Sequence, residues 1–512
     1  MRCPCLAAAL LVLVATSPLA EADVLGRLLA AADDQTGGAA PAPANDLAQW
    51  AGESRATSLP ELLKTTVEKS PALASARIDV AIAEARIQQT WQRHDWLVGA
   101  RLDVVRSTTP QQGTTTSIGA SADLSRLLPT GGTIALHADS GYFKTTGSFM
   151  GVLDTDGWVD NVTAALTQPL LRNRGRALYD ADERRLTIAK DATVLAQRLA
   201  AIKAVQAVIA AYWDLVLAER GVAITRASLD LARERLRVTQ IGADGGKIPR
   251  SEIPAVLQII ATREEDVLNG ELTVLDRSIA LRRAAGMPIG AGELGLRVST
   301  ELDAKDDPLD LGQLVERAYQ ASPELAQLAK QDASAAIDVE VAENGLLPQL
   351  DAALSIGPSG NAGSFASSWK DLVELNTLAI NGSLTFSQSL SRDLAKGRIR
   401  EAQENRRKLT VTAADVRAQL AQGMTTAVAQ LELARRRVVL SQRAIDLANE
   451  NIKIETDRFN LGKSTNFDVL NRQEDLRQAE LRKTQALIDG HKAETSVQAL
   501  TGDILPSYGI RM

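Results

Sequence analysis

The chain is poor in cysteine, histidine and aromatic residues. Its two cysteines, Cys3 and Cys5, both stand before the first apolar run. The body can therefore hold neither a disulfide framework nor a cysteine nucleophile. The three histidines, His94, His137 and His491, are scattered singly, which argues against a histidine-built zinc or haem site. Aromatics are 3%, and the apolar weight rests on Ala, Leu and Val, a mixture that suits long close-packed helices better than a β-sandwich. A basic excess is missing too: 57 Lys and Arg against 63 Asp and Glu leave a net charge of −6, so nucleic acid is not an expected partner. No Gly-rich phosphate loop is present, because Pro129-Thr130-Gly131-Gly132 lacks the lysine and the following helix. No spacing of Ser, His and Asp favours a triad, and the carboxylate pairs Glu264-Glu265 and Asp306-Asp307 read as solvated surface. No catalytic, cofactor-binding or metal-ligating residue is nominated, and no enzyme activity is expected.

Long hydrophobic runs are also scarce. Residues 1–22 read as a secretory signal peptide: Arg2 starts it, Leu6 to Ala15 form a short apolar core, and Ala20-Glu21-Ala22 resembles a small-residue cleavage site. That core is too short to span a bilayer, and no run of about 18 apolar residues is read beyond it, so no transmembrane helix is expected. An exported chain can still enter a membrane as a barrel. Residues 23–57, rich in Ala, Gly and Pro, read as a flexible leader.

What is present in quantity is internal repetition. Ser70-Pro71-Ala72-Leu73 recurs 252 positions on as Ser322-Pro323-Glu324-Leu325, and Leu166-Thr167 recurs 218 positions on as Leu384-Thr385. Leu231-Ala232, Gly246-Lys247 and Gly286 recur at a constant offset of 216, as Leu447-Ala448, Gly462-Lys463 and Gly502. The fall in offset places an insertion in the first copy. The expected domains are a first repeat over 58–286 with an inserted hairpin at about 113–145, a linker over 287–308, a second repeat over 309–502 and a C-terminal tail over 503–512.

Each repeat shows the same order of elements. A helix opens at the Ser-Pro pair, with proline at a first helical position. Alternating stretches then read as strands, Leu97 to Val105 and Val159 to Leu166 in copy one, Leu350 to Ile356 and Leu378 to Phe386 in copy two. The insertion adds Ser117 to Leu124 and Thr133 to Tyr142 as a further hairpin. Very long helices begin near Gly175 and Asp393. Val194, Ala201, Val208, Leu215, Val222, Leu229 and Leu236 recur every seven residues, as do Met424, Leu431, Val438, Ile445, Ile452 and Phe459. Sustained heptads are coiled-coil packing. A second stripe runs beside each seam: Leu195, Ile202, Ile209 and Val216 in copy one, Leu433, Leu440, Leu447, Ile454 and Leu461 in copy two. Two seams imply neighbours on both flanks. Runs of this length measure about 100 Å at about 1.5 Å per residue. Short turns with Gly246 and Gly462 lead into return helices of about 37 residues, so the class is mainly α with a small β part. Four strands, two per copy, are too few to close a barrel in one chain.

The chain from about Leu59 to Gly502 resembles the TolC-like outer-membrane efflux proteins. The resemblance rests on the duplicated plan, on Leu166-Thr167-Gln168-Pro169-Leu170-Leu171 before the first long helix, and above all on Phe459-Asn460-Leu461-Gly462-Lys463-Ser464-Thr465-Asn466-Phe467-Asp468-Val469-Leu470 at the second turn. It implies a homotrimer whose strands make one 12-stranded outer-membrane β-barrel, continued by a periplasmic α-helical barrel. It further implies the exit duct of a tripartite efflux or type I secretion system, in lipid contact and docked to a periplasmic adaptor and an inner-membrane transporter. The alternative is a secreted coiled-coil structural or adaptor protein without a barrel.

The resemblance also gives candidate sites. Pro169 marks the barrel-to-helix junction, a proline that Phe386-Ser387-Gln388-Ser389-Leu390 of copy two lacks. Ser251, Glu252, Asp468 and Asn471 are candidates for the closed periplasmic tip, Asn471 standing where relatives carry a second acid. Thr465 to Asp468 also reads as a capping box, and Pro249 as part of a first helical turn. Gly246 and Gly462 are expected to shape the turns. Six strands per chain do not fit a 12-stranded trimer, so the inserted hairpin is expected above the membrane or on the barrel rim.

Overall fold

The computed structural model describes residues 55–109, 113–147, 154–290, 295–298 and 309–510, all within the unit Ala51–Met512. The signal peptide, the leader up to residue 54, Asp306-Asp307 and much of the linker lie outside the described residues.

In chain order the elements are β1 (Arg55–Thr57), α1 (Leu59–Lys69), α2 (Pro71–Thr90), β2 (Leu97–Thr109), β3 (Gly113–Leu127), β4 (Thr133–Thr146), β5 (Thr155–Pro169), α3 (Arg176–Tyr179), α4 (Ala181–Asp244) and α5 (Glu252–Ala284). There follow β6 (Leu296–Val298), α6 (Leu311–Ala321), α7 (Pro323–Asn344), β7 (Gln349–Ala362), α8 (Phe365–Val373), β8 (Thr377–Ser387), α9 (Asp393–Asn460), α10 (Asn466–Leu500) and α11 (Ile504–Ser507). Pro71 and Pro323 open their helices, where a missing N–H leaves no bond unmade. The caps differ: the Leu325 amide donates to Ser322 Oγ at 3.3 Å, whereas Ser70 makes no side-chain cap bond.

Four helices lie side by side at every level. Next to the sheet they run α2, α4, α7, α9; farther away they run α5, α4, α10, α9. The 64-residue α4 and the 68-residue α9 are common to both sets. The heptad seam explains this. Ala201, Val208 and Leu215 are at most 1% exposed and Met424 is fully enclosed, while Val194 is exposed. The core at mid-length gathers Leu62, Leu73, Val205, Ile209, Tyr212 and Leu281 with Ile488 and Ile504.

Four local expectations are corrected. The leader and linker are not loose throughout, since β1 pairs in parallel with β6, from Arg55 opposite Leu296 to Thr57 opposite Val298. Leu296 is buried, and its amide donates to Ser278 Oγ at 2.9 Å. The C-terminal tail folds as α11 and puts Ile504 and Leu505 into the core. Pro249 precedes α5, with its carbonyl accepting from the Glu252 amide at 3.1 Å. Finally, α4 contains an 18-residue window of mean hydropathy 1.5, long and apolar enough to cross a membrane by length and composition. Half of that window is buried against other parts of the fold.

All six longer strands share one antiparallel sheet, ordered β2-β3-β4-β5-β7-β8. The inserted strands β3 and β4 stand between β2 and β5 and pair along their whole lengths, from Leu97 opposite Ser125 to Thr109 opposite Gly113 and from Thr133 opposite Thr167 to Thr145 opposite Thr155. The hairpin is therefore part of the sheet and not an appendage on its margin. Backbone pairing decides this, because a strand inserted at that register satisfies its own N–H and C=O groups and those of both neighbours.

Candidate functional site

The sheet has two chemically distinct faces, fixed by the two-residue period of its strands. One face carries Val98, Leu102 and Val104 of β2, Ile118 and Leu124 of β3, and Leu136 and Ala138 of β4. It continues through Ala164 and Leu166 of β5, Leu354 and Ile356 of β7, and Ile380, Leu384 and Phe386 of β8. These residues are in register from strand to strand, and Leu102 is 83% exposed. The opposite face carries Arg101, Asp103, Asp123, His137, Asp139, Asn161, Ser355 and Asn381. There His137 sits between Asp123, 2.6 Å away, and Asp139, 3.3 Å away, and Asn161 donates to Asp139 at 2.9 Å. Asp160 interrupts the apolar face. It is fully buried, with neither carboxylate oxygen hydrogen-bonded. Helix α8 packs there against β5 and β7, and Phe365 meets the Trp158 ring edge-on at 5.2 Å. Gly360 permits the approach, since a Cβ would stand 1.9 Å from the Ser368 carbonyl.

Pro169 ends β5 where the sheet meets the helices. The Leu170 amide donates to the Leu350 carbonyl at 2.7 Å, and the Gly175 amide to Thr130 O at 2.9 Å, so the β3–β4 turn is tied into this junction. Gln168 meets the same turn through Thr130 Oγ1, which donates to Gln168 Oε1 at 2.7 Å.

The two hairpin tips lie at the far ends of α4 and α9. Gly246 and Gly462 have φ of +72° and +70° and follow the helix ends, where an αL residue lets the next amide reach back to a helical carbonyl. Lys247 N–H reaches Gly242 O and Lys463 N–H reaches Arg458 O, at 2.8 and 2.9 Å. At the second tip, Asp468 N–H donates to Thr465 Oγ1 at 3.2 Å, while the Thr465 hydroxyl and amide donate to Asp468 Oδ2 at 2.7 and 3.1 Å. These two donors hold the Asp468 carboxyl below the usual carboxylate range. The bonds close a capping box.

Glu252, 216 positions before Asp468, behaves differently from it. Its Oε2 accepts from Asn466 Nδ2 at 2.5 Å and from the Asn466 amide at 3.4 Å, joining the first tip to the second. A second link lies nearby, where the Arg235 guanidinium sits 5.2 Å over the Phe459 ring and burial pushes its pKa down. Ser251 and Asn471 are exposed, Asn471 three residues beyond Asp468 on α10. Sequence reading did not pick out Asn466 or Arg235. Both residue types advertise donors, but their acceptors lie more than 200 residues away in the chain. Among the described residues no three His, Cys, Asp or Glu side chains converge as a metal site requires. Glu264 is paired to Arg233 at 2.8 Å.

Residues 314–503 match the family model described as outer membrane efflux protein. No curated protein matches the sequence. Among solved structures, the CmeC outer membrane channel of Campylobacter jejuni is similar with a TM-score of 0.65 at 12% identity, covering 92% of this chain and 93% of that one. The outer membrane protein VceC of Vibrio cholerae gives 0.62 at 14% identity, over 87% of this chain and 96% of that one. The open MtrE outer membrane channel of Neisseria gonorrhoeae gives 0.63 at 14%, over 87% and 89%. Identities this low carry the fold alone. Residues 314–503 are thus similar to the outer membrane efflux protein family, and the chain shares the fold of these outer-membrane channels.

Proposed function

We propose that three copies of this chain form an outer-membrane exit duct, with the sheets closing one β-barrel and the helices continuing it as a tunnel through the periplasm. In this reading each chain is a tandem duplication, and an inner-membrane transporter passes cargo, through a periplasmic adaptor, into the tunnel tip. The observation that carries the proposal is the sheet, with one broad apolar face and, among the described residues, no strand paired to the outer edge of β2 or β8. An open edge in hydrocarbon is not tolerated, so such a sheet must close with others. The exposed stripe Leu433, Leu440, Leu447 and Ile454 on the edge helix α9 supports association along the helices as well. A secreted coiled-coil adaptor without a barrel would have no use for the apolar face.

Asp468 and Asn471, each repeated three times about the axis, then ring the closed tip, and Glu252 with Asn466 fastens the two hairpins of each chain beside Ser251. Rings of carboxylates favour cations. The test is fractionation followed by electrophoresis with and without boiling. A heat-modifiable trimer in the outer-membrane fraction is expected; a protein released by mild salt would overturn the proposal.

A further inference from the structure

The inserted hairpin has the chemistry of the strands on either side of it. Rows of the apolar face run from Val104 of β2 through Ile118 of β3 to Tyr142 of β4, and from Val98 through Leu124 and Leu136 to Ala164 of β5, with Ser140 opposite Asp160 between them. The polar face is equally continuous, with Asp103, Asp123, His137 and Asp139 on the first three strands. A hairpin standing in water above a membrane has no reason to keep one face apolar in register with a membrane strand. At 15 and 14 residues, β3 and β4 are also as long as their neighbours and exceed the roughly 9–11 residues that a tilted membrane strand needs.

The helix layer is wide enough to carry such a sheet. Four helices side by side in each of three chains, at about 10 Å between axes, enclose a circuit of about 120 Å. Eighteen strands about 4.8 Å apart and tilted about 40° make a circuit of about 110 Å, whereas twelve make about 75 Å. The order of elements agrees, since β2 follows the edge helix α2 and β8 precedes the edge helix α9, so sheet and helix layer share both margins.

We infer that β3 and β4 cross the membrane with the other four strands, so that three copies close a wall of eighteen strands around a wide, hydrated, acid-bearing lumen suited to bulky hydrophilic cargo. The inference rests on the trimeric duct proposed above. The lumen is about one and a half times as wide across the backbone as a wall of twelve would be, because barrel diameter grows in proportion to strand number. The outer-membrane end is then about as wide as the tunnel, and selection of cargo by size falls to the tip.

Single cysteines test this in full-length trimers in lipid vesicles, on a Cys3→Ser, Cys5→Ser background that removes the two native thiols. Ile118→Cys, Ala120→Cys, Leu136→Cys and Ala138→Cys probe the apolar face, and Ser117→Cys and Ser121→Cys the polar one. Ile380→Cys and Asn381→Cys on β8 serve as reference. A membrane-confined thiol probe should label the apolar set several-fold faster than the polar set, and a charged water-soluble maleimide should reverse that order, as at the β8 pair. If the β8 pair alternates while all six hairpin positions react alike with the water-soluble reagent, the hairpin lies outside the membrane and the eighteen-strand wall is wrong. If the β8 pair fails to alternate as well, the membrane barrel itself is overturned.

Discussion

Asp468 and Glu252 each stand near the start of a return helix, 216 positions apart, yet the physics of each is different. Asp468 spends its carboxylate on its own helix, and its lowered pKa sets the sign of a pH effect. The ionised cap stabilises the first turn of α10 above the pKa of the unfolded chain, and that contribution is lost as pH falls through the lower folded value. Thr465→Ala should cost about 1 kcal/mol of local helix stability. Hydrogen exchange at the start of α10 will report it as earlier acid fraying. Glu252 instead ties two hairpins together through Asn466. In the proposed duct, Glu252→Gln retains an acceptor oxygen and is expected to leave the tip closed, whereas Glu252→Ala should raise resting conductance in planar bilayers. Equal conductance of wild type and Glu252→Ala would remove the Glu252–Asn466 bond from the closure. Asp468→Asn should instead weaken block by a trivalent cation added at the tip side, and unchanged block would leave Asp468 as a helix cap alone.

Among the elements, α4 and α9 show how one sequence pattern serves two kinds of packing. The second stripe of α4 is buried inside the chain, with Ile202 at 5%, Ile209 at 0% and Val216 at 3% exposure, while its counterparts on α9, Leu440 and Leu447, are each 61% exposed. The reason is position, because α4 lies inside the four-helix layer and α9 at its margin. Leu440→Asp or Leu447→Asp should therefore abolish the proposed trimer, at a cost of several kcal/mol for an unpaired charge in a packed seam, and leave helix content unchanged. Leu281→Ala, deep in the core, should do the opposite and lower thermal stability by about 2–5 kcal/mol. Circular dichroism and analytical ultracentrifugation separate the two cases. A stable trimer carrying Leu447→Asp would show that the stripe faces solvent.

For the molecule as a whole, the sheet and the helix layer have matching margins, and both leave apolar surface uncovered. That pairing makes closure with other copies the natural solution, since neither an open strand edge nor an exposed apolar helix seam is stable alone. Strands β3 and β4 widen the sheet and add no helix to the layer. In the proposed duct, size exclusion measured with graded neutral polymers should then report a restriction at the tip, and Glu252→Ala should shift the exclusion limit upward. An unchanged limit would place the restriction in the wall.

Sequence alone determined the long helices, the turns and all six long strands, because heptads and two-residue alternation are local periodicities set by helix and strand geometry. Gly246 and Gly462 were legible for the same reason, since a helix stop followed by a positive φ is a local need. The tertiary structure decided what depends on distant pairing. Sequence shows that the inserted hairpin exists, but only hydrogen bonding to β2 and β5 sets it within the sheet. The parallel joining of β1 to β6, the seating of α8 over Asp160 and the Glu252–Asn466 bond also unite residues far apart in the chain, Glu252 and Asn466 by 214 positions. No periodicity encodes such a match, because it arises where separately formed elements come to share one surface.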